Sequence, residues 1–268
     1  MTPLNSHPRW GATIMDLWFA ASGLLGGFLV GLTGVGGGSL MTPLLIMAFH
    51  VPPPIAVGTD LLYAALTKAG GVWAYHRRGQ VNWAVTRNLL LGSLPASLAT
   101  LLLWPQGHDD TRTDQLICRI LGFALFLTAM ALLFRRRPPV GTPVSPPSFL
   151  AGATGYWTCL VGAFVGVMAT LSSVGAGAVG TAALMTLFPG MALSRMVGTE
   201  IAHAVPLTLV AGIGHGWRGH VDPLLLVNLL AGSLPGIWMG ARLNARLSER
   251  TARPLLVLML LGIASQLL

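Results

Sequence analysis

The chain has 268 residues, of which 53% are hydrophobic and only 9% charged, whereas a soluble domain carries roughly a quarter charged residues; a soluble globular protein is excluded. The formal net charge of +8 does not point to nucleic acid. The arginines gather just outside apolar spans, at Arg77 and Arg78, at Arg135, Arg136 and Arg137, and at Arg242, Arg246, Arg250 and Arg253, which is how cytoplasmic loops of membrane proteins are marked.

The apolar stretches are continuous and do not alternate, so they read as helices and not as barrel strands. The first, Ala12–Thr33, is read as a retained helix, because no small-residue cleavage site follows a short apolar run. Ser39–Phe49, Ile55–Tyr75, Ala84–Trp104 and Leu116–Phe134 follow. Next comes "RRRPPVGTPVSPPS" (residues 135–148), a stretch rich in proline and charge that reads as a linker. Beyond it lie Phe149–Leu171, Val179–Phe188, Val197–His215, Leu224–Leu243 and Leu255–Leu268. Cys118 and Cys159 fall within these stretches and offer neither metal spacing nor a disulfide framework.

The two halves are copies. "VGTDLLYAA" at Val57 recurs as "VGTEIAHAV" at Val197, an offset of 140; "RRGQVN" (Arg77–Asn82) recurs as "WRGHVD" (Trp217–Asp222), and "NLLLGSLP" (Asn88–Pro95) as "NLLAGSLP" (Asn228–Pro235), both in the same register. Three matches in one register indicate duplication. The predicted organisation is a first transmembrane repeat at 1–137, a cytoplasmic Pro-rich linker at 138–148 and a second repeat at 149–268. The strongly basic loop falls one helix later in the second copy. With five segments per half, that copy is expected to be inverted, with both termini outside. The expected fold class is therefore an all-α polytopic membrane protein of two inverted repeats with glycine-broken short helices. Inverted repeats are a recurring plan of secondary transporters, with substrate held at the midplane between them.

Each short segment follows a small-residue break, "TGVGGGS" (Thr33–Ser39) and "SSVGAGA" (Ser172–Ala178). Unwinding frees backbone N–H groups at the start of the next half-helix, where the dipole adds partial positive charge, and such an end can hold an anion. Thr33, Gly36, Gly37, Gly38, Ser39, Ser172, Ser173, Gly175 and Gly177 are thus the candidate substrate-binding residues. The alternative is close helix packing. A nucleotide loop is the third reading, and it lacks a preceding strand and a following "GK[ST]".

Asp60 and Glu200 are equivalent residues, each after a Gly-Thr. Two accounts stand: Thr59 and Thr199 cap a helix whose positive end the acid stabilises, or the acids exchange protons and couple a gradient to transport. Lys68, the only lysine, is a candidate ion-pair or anion partner, and His203 shares a helical face with Glu200. His215 and His220 look interfacial. The prolines of the "GSLP" motifs are expected to shape packing or gating. No "GxSxG" or "HExxH" is present, so no enzyme, catalytic residue, metal or cofactor is expected. The expected partners are a small anionic substrate, the lipid bilayer and, as an option, further copies in a homo-oligomer; nucleic acid is not among them.

These blocks resemble the sulfite exporter TauE/SafE family of membrane transporters. The resemblance rests on "GFLVGLTGVGGGSLMTPLL", "AVGTDLLYAALTKAGG", "RRGQVNW" and "LLLGSLPAS" in the first half and on the second copies of "VGT" and "GSLP". It implies a small, duplicated, multi-pass protein of the cytoplasmic membrane that moves sulfur-containing anions such as sulfite or organosulfonates, generally outward. The second half departs from the pattern: "SSVGAGAVGTAAL" replaces the glycine-rich block and has no proline at the place of Pro43. A passive channel for small anions or neutral solutes is the alternative reading.

Overall fold

The structure, a computed structural model, describes residues 21, 23–28, 38–103, 110–133, 154–175, 177–244 and 249–268. The linker at 138–148 and most of the first glycine break lie outside the described residues. A short helical piece at 23–28 precedes α1 (Gly38–Phe49), α2 (Pro53–Arg77), α3 (Trp83–Leu103) and α4 (Asp110–Leu133). The second half supplies α5 (Thr154–Ser172), α6 (Ala178–Leu187), α7 (Leu193–Trp217), α8 (Pro223–Asn244) and α9 (Glu249–Leu267). Equivalent helices begin 140 residues apart, at Gly38 and Ala178, Pro53 and Leu193, Trp83 and Pro223. The helices α4 and α9 start before the apolar residues that predicted them, at Asp110 and Glu249. Hydropathy misses polar first turns, which a helix accepts at its positive end.

The "RRGQVN" and "WRGHVD" blocks are a stop and a start in six residues. Gly79 and Gly219 adopt left-handed φ values of 64° and 76°, a conformation that glycine enters at no steric cost. The chain then turns back: Gln80 N–H bonds the Tyr75 carbonyl and His220 N–H the His215 carbonyl, both at 3.0 Å, which closes each helix in a Schellman motif. Asn82 and Asp222 then cap the next helices, their side chains accepting the N–H groups of Val85 at 3.3 Å and Leu225 at 3.1 Å.

The same blocks clasp the opposite repeat. Asp222 N–H donates to Thr59 Oγ1 at 3.1 Å, and Asn82 N–H donates to Thr199 Oγ1 at 2.9 Å. Gly58 lies directly against the His220 carbonyl and Gly198 against the Gln80 carbonyl, where any Cβ would collide with backbone. The start of α2 therefore meets the end of α7 and the start of α7 meets the end of α2: the two equivalent helices run antiparallel. Outside this pair the exchange is also reciprocal. Gly162 and Gly166 of α5 pack on the backbone of Leu89 and Ser93 in α3, while Gly23 and Gly27 pack on Leu229 and Ser233 in α8. Small residues four apart let helices approach to backbone contact.

Polarity is inverted relative to a soluble protein. Thr42, Thr59, Asp60, Lys68, Ser93, Ser97, Glu200, His203 and Ser233 are buried, whereas Leu102, Leu103, Leu91, Phe164, Leu234 and Leu258 face outward. An exposed surface this apolar needs lipid against it. Among the described residues, Thr113–Ala131, Thr154–Ser172 and Ser194–Trp217 are long and apolar enough to cross a membrane.

Candidate functional site

Asp60, Lys68, Glu200 and His203 come together along the antiparallel pair α2 and α7. All four are buried: Asp60 is 0% exposed, Lys68 9%, Glu200 4% and His203 1%. The ammonium of Lys68 lies within electrostatic reach of Asp60, Glu200 and His203. Lys68 and its counterpart Thr208 fall near the centre of the pair, where the antiparallel helices cross. The two acids, one from each repeat, are thus buried along the same helix pair as this cation. Buried charge is costly unless it is compensated, and opposite charges buried along one helix pair compensate each other in part.

Each acid also meets a half-helix. Thr42 of α1 donates its hydroxyl to Asp60 Oδ2 at 2.5 Å, and Gly180, in the first turn of α6, lies against Glu200, where a Cβ would stand 3.2 Å from Cγ. The second turn of α1 and the first turn of α6 thus each stand against one of the two acids. Asp60 Oδ1 and Glu200 Oε1 are buried and have no hydrogen-bond partner among the described residues.

This arrangement corrects the capping account. α2 and α7 begin at Pro53 and Leu193, their N-caps are Pro52 and Ala192, and neither cap makes a side-chain bond. Asp60 and Glu200 lie two turns inside their helices, too deep to serve the first-turn N–H groups. Thr59 and Thr199 hold the other repeat's loop, as described above, and Thr199 also donates to the Arg195 carbonyl at 2.6 Å.

The break before α6 is present. The chain leaves α5 at Ser172, and Ser173 takes a left-handed φ of 58° and Gly175 a φ of 134°. A non-glycine residue in that region stores of order 1–3 kcal/mol, which is characteristic of functional sites. Ser172 devotes its hydroxyl to the break, donating to the Met168 carbonyl at 2.7 Å and accepting Val174 N–H at 3.2 Å. Ser173 is buried beside the Asp60 carboxylate with its Oγ unpartnered among the described residues. Gly177 is the residue before α6, with an extended φ of 170°. In the first half, Thr33, Gly36 and Gly37 lie outside the described residues; Gly38 and Ser39 open α1.

Three contributors were not singled out from sequence. Ser93, in the first "GSLP", hydrogen-bonds His203 Nε2 at 2.9 Å. Its equivalent Ser233 lies beside the buried Tyr63, the counterpart of His203, and donates to the Leu230 carbonyl at 3.2 Å. Thr42 is the third. The repeat register could have flagged Ser93 and Ser233, since polar residues shared by both copies of an apolar segment need partners; Thr42 has no counterpart, because Ala182 stands at its place. His215 is buried, with Nε2 on the Thr170 carbonyl at 2.9 Å. His220 lies in the turn between α7 and α8, where partial burial and then the charge of Arg218 hold it below the ordinary histidine range. Among the described residues no group of three or more His, Cys, Asp or Glu gathers as a metal site.

Residues 19–267 match the family model described as Sulfite exporter TauE/SafE. The chain is 39% identical over 244 residues to "Probable membrane transporter protein YjnA" of Bacillus subtilis, covering 88% of this chain and 93% of that relative. It is 26% identical over 216 residues to "Probable membrane transporter protein YdhB" of the same organism, covering 81% and 85%. A "Probable membrane transporter protein" of Xylella fastidiosa is 28% identical over 113 residues, 42% of each chain. No solved structure matches the chain significantly.

Proposed function

The chain belongs to the sulfite exporter TauE/SafE family, and from that premise we propose that it is a secondary transporter of the cytoplasmic membrane. It exports a small anion, sulfite or another sulfur oxyanion or organosulfonate, and draws on an ion gradient. The observation that carries this reading is the burial of two carboxylates from opposite repeats, Asp60 and Glu200, along the same antiparallel helix pair as the buried Lys68.

The chemistry follows from charge. An anion entering between the half-helix ends is attracted by Lys68 and by the dipoles of α1 and α6. It is repelled by any ionised carboxylate beside it. Anion loading therefore favours the protonated form of the adjacent acid, because like charges sharing a desolvated site cannot both persist. Proton and anion are then linked ligands of one site, and linkage is reciprocal. Ser173 and the residues of the first break supply donors, and His203, three residues from Glu200 on α7 and bonded to Ser93, passes a proton to or from Glu200.

The antiparallel run of α2 and α7 supports the inverted-repeat plan. If both helices cross the membrane, their equivalent ends face opposite sides, and exchanging the roles of the halves exchanges inward and outward access. The test is flux of labelled sulfite in liposomes holding the purified protein, with sulfate, thiosulfate and small sulfonates as competitors. Saturable flux blocked by one competitor class supports the reading and names the substrate class. Flux at the level of empty liposomes from folded protein overturns it, and unsaturable flux would indicate a passive channel.

A further inference from the structure

We propose that a second anion site lies at one mouth of the protein, formed by Arg218, His215 and His220, and that it takes a small oxyanion that carries its own proton. It extends the transport reading, and its test separates the two. The site is a partly open recess where α7 ends against α2, α3, α4 and α5, lined by Thr100, Thr170 and the three basic residues. No carboxylate is among the described lining residues. It is distinct from the central site, standing outward of Asp60 on α2: Pro54, six residues before Asp60 or roughly 9 Å along the helix, is at its rim.

The ligand chemistry comes from the histidine. His215 Nε2 lies 2.9 Å from the Thr170 carbonyl. A carbonyl oxygen can only accept, so Nε2 carries the hydrogen, and in the neutral ring Nδ1 is left as an acceptor. That Nδ1 is buried and has no partner among the described residues, and neither has His220 Nδ1; the two rings stand 5.7 Å apart. A buried acceptor left unpaired costs of order 1–3 kcal/mol, so the position calls for a donor. Arg218 calls for an anion. A monoanionic oxyacid meets both demands at once, its O–H donating to His215 Nδ1 and its charged oxygens facing the guanidinium. Sulfonates have the charge without the hydroxyl. Hydrogen sulfite and dihydrogen phosphate share the required chemistry.

The arrangement belongs to one repeat only. The equivalents of His215, Arg218 and His220 are Tyr75, Arg78 and Gln80, which offer no second imidazole pair. In an inverted-repeat protein this puts the oxyanion site on a single face of the membrane.

The test uses full-length protein in nanodiscs with nitrogen-15-labelled histidine. Ring signals are assigned with His215→Gln and His220→Gln, and sulfite, phosphate and methanesulfonate are titrated in turn. The expected result is a saturable movement of the His215 signal with sulfite or phosphate. The affinity should be at least tenfold weaker for methanesulfonate and at least tenfold weaker in Arg218→Gln. No movement in the wild-type protein, an equal response to methanesulfonate, or a response undiminished in Arg218→Gln would overturn the proposal; the wild-type titration stands without any variant. Flux measured separately keeps the readings apart: sulfite flux with no His215 response sinks this site alone, whereas a His215 response without flux supports it.

Discussion

Thr59 accepts a hydrogen bond from the backbone N–H of Asp222 at 3.1 Å. The residues equivalent to both, Thr199 and Asn82, make the same bond at 2.9 Å with the roles of the repeats exchanged. The duplicated "VGT" and "GQVN"/"GHVD" blocks are therefore two halves of one clasp, and the acid after each threonine is carried into the space between the repeats. The motif that joins the repeats also positions the candidate coupling residues.

The clasp depends on absent side chains. Gly58→Ala and Gly198→Ala place a Cβ into a backbone carbonyl of the opposite repeat and are expected to cost about 1–3 kcal/mol each. Gly70→Ala, in the same helix as Gly58 but with nothing within 4 Å, should be neutral or stabilising by up to about 1 kcal/mol. Thermal unfolding in detergent ranks the three, and Gly70→Ala proving as harmful as Gly58→Ala would contradict the contact geometry.

Gly175→Val should disable the break before α6. Its φ of 134° suits glycine, and a Cβ there meets Met168 Cβ at 3.3 Å. A loss of at least tenfold in maximal flux is expected, with a smaller effect from Gly79→Ala, whose turn is open. Full flux in Gly175→Val would make the break a packing feature.

Lys68→Met should weaken anion binding by about tenfold or more, equivalent to about 1.4 kcal/mol, because it removes the cation buried along the same helix pair as Asp60 and Glu200. Lys68→Arg should recover part of the affinity. Half-saturating sulfite concentration in the flux assay is the readout; unchanged affinity in Lys68→Met would take the lysine out of the site.

Arg77 and Trp217 occupy equivalent positions at the ends of α2 and α7 and are exposed. In a background without Cys118 and Cys159, Arg77→Cys and Trp217→Cys should react with impermeant thiol reagents from opposite sides of the membrane. Labelling of both from one side would end the inverted topology.

Much of this was legible in the residues. The apolar runs gave the helices α1 to α3 and α5 to α8 to within a few residues, because membrane helices are signalled by continuous hydropathy. The repeat register picked out Asp60 and Glu200 before any contact was known. What the sequence hid was depth and partnership. A carboxylate after Gly-Thr reads as a first-turn acid, whereas α2 and α7 start about two turns earlier, at Pro53 and at Leu193. The partners Ser93 and Thr42 are ordinary hydroxyl residues in apolar segments. Only their bonds to other helices, Ser93 to His203 and Thr42 to Asp60, distinguish them from hydroxyls that merely bond their own helix, as Thr128 does to Ala124 at 2.8 Å. Likewise His215 reads as interfacial by position, and the packing of α5 against it makes it buried.

The central claim is that anion movement is coupled to protonation of Asp60 and Glu200, and the most direct measurement is sulfite accumulation in liposomes under an imposed pH gradient, compared among wild type, Asp60→Asn and Glu200→Gln, with empty liposomes as baseline. The wild-type protein should accumulate sulfite above equilibrium toward the side set by the gradient. The two neutral variants should lose that accumulation at least tenfold while still exchanging sulfite across the membrane at equal pH. Gradient-driven accumulation intact in both variants would contradict the account.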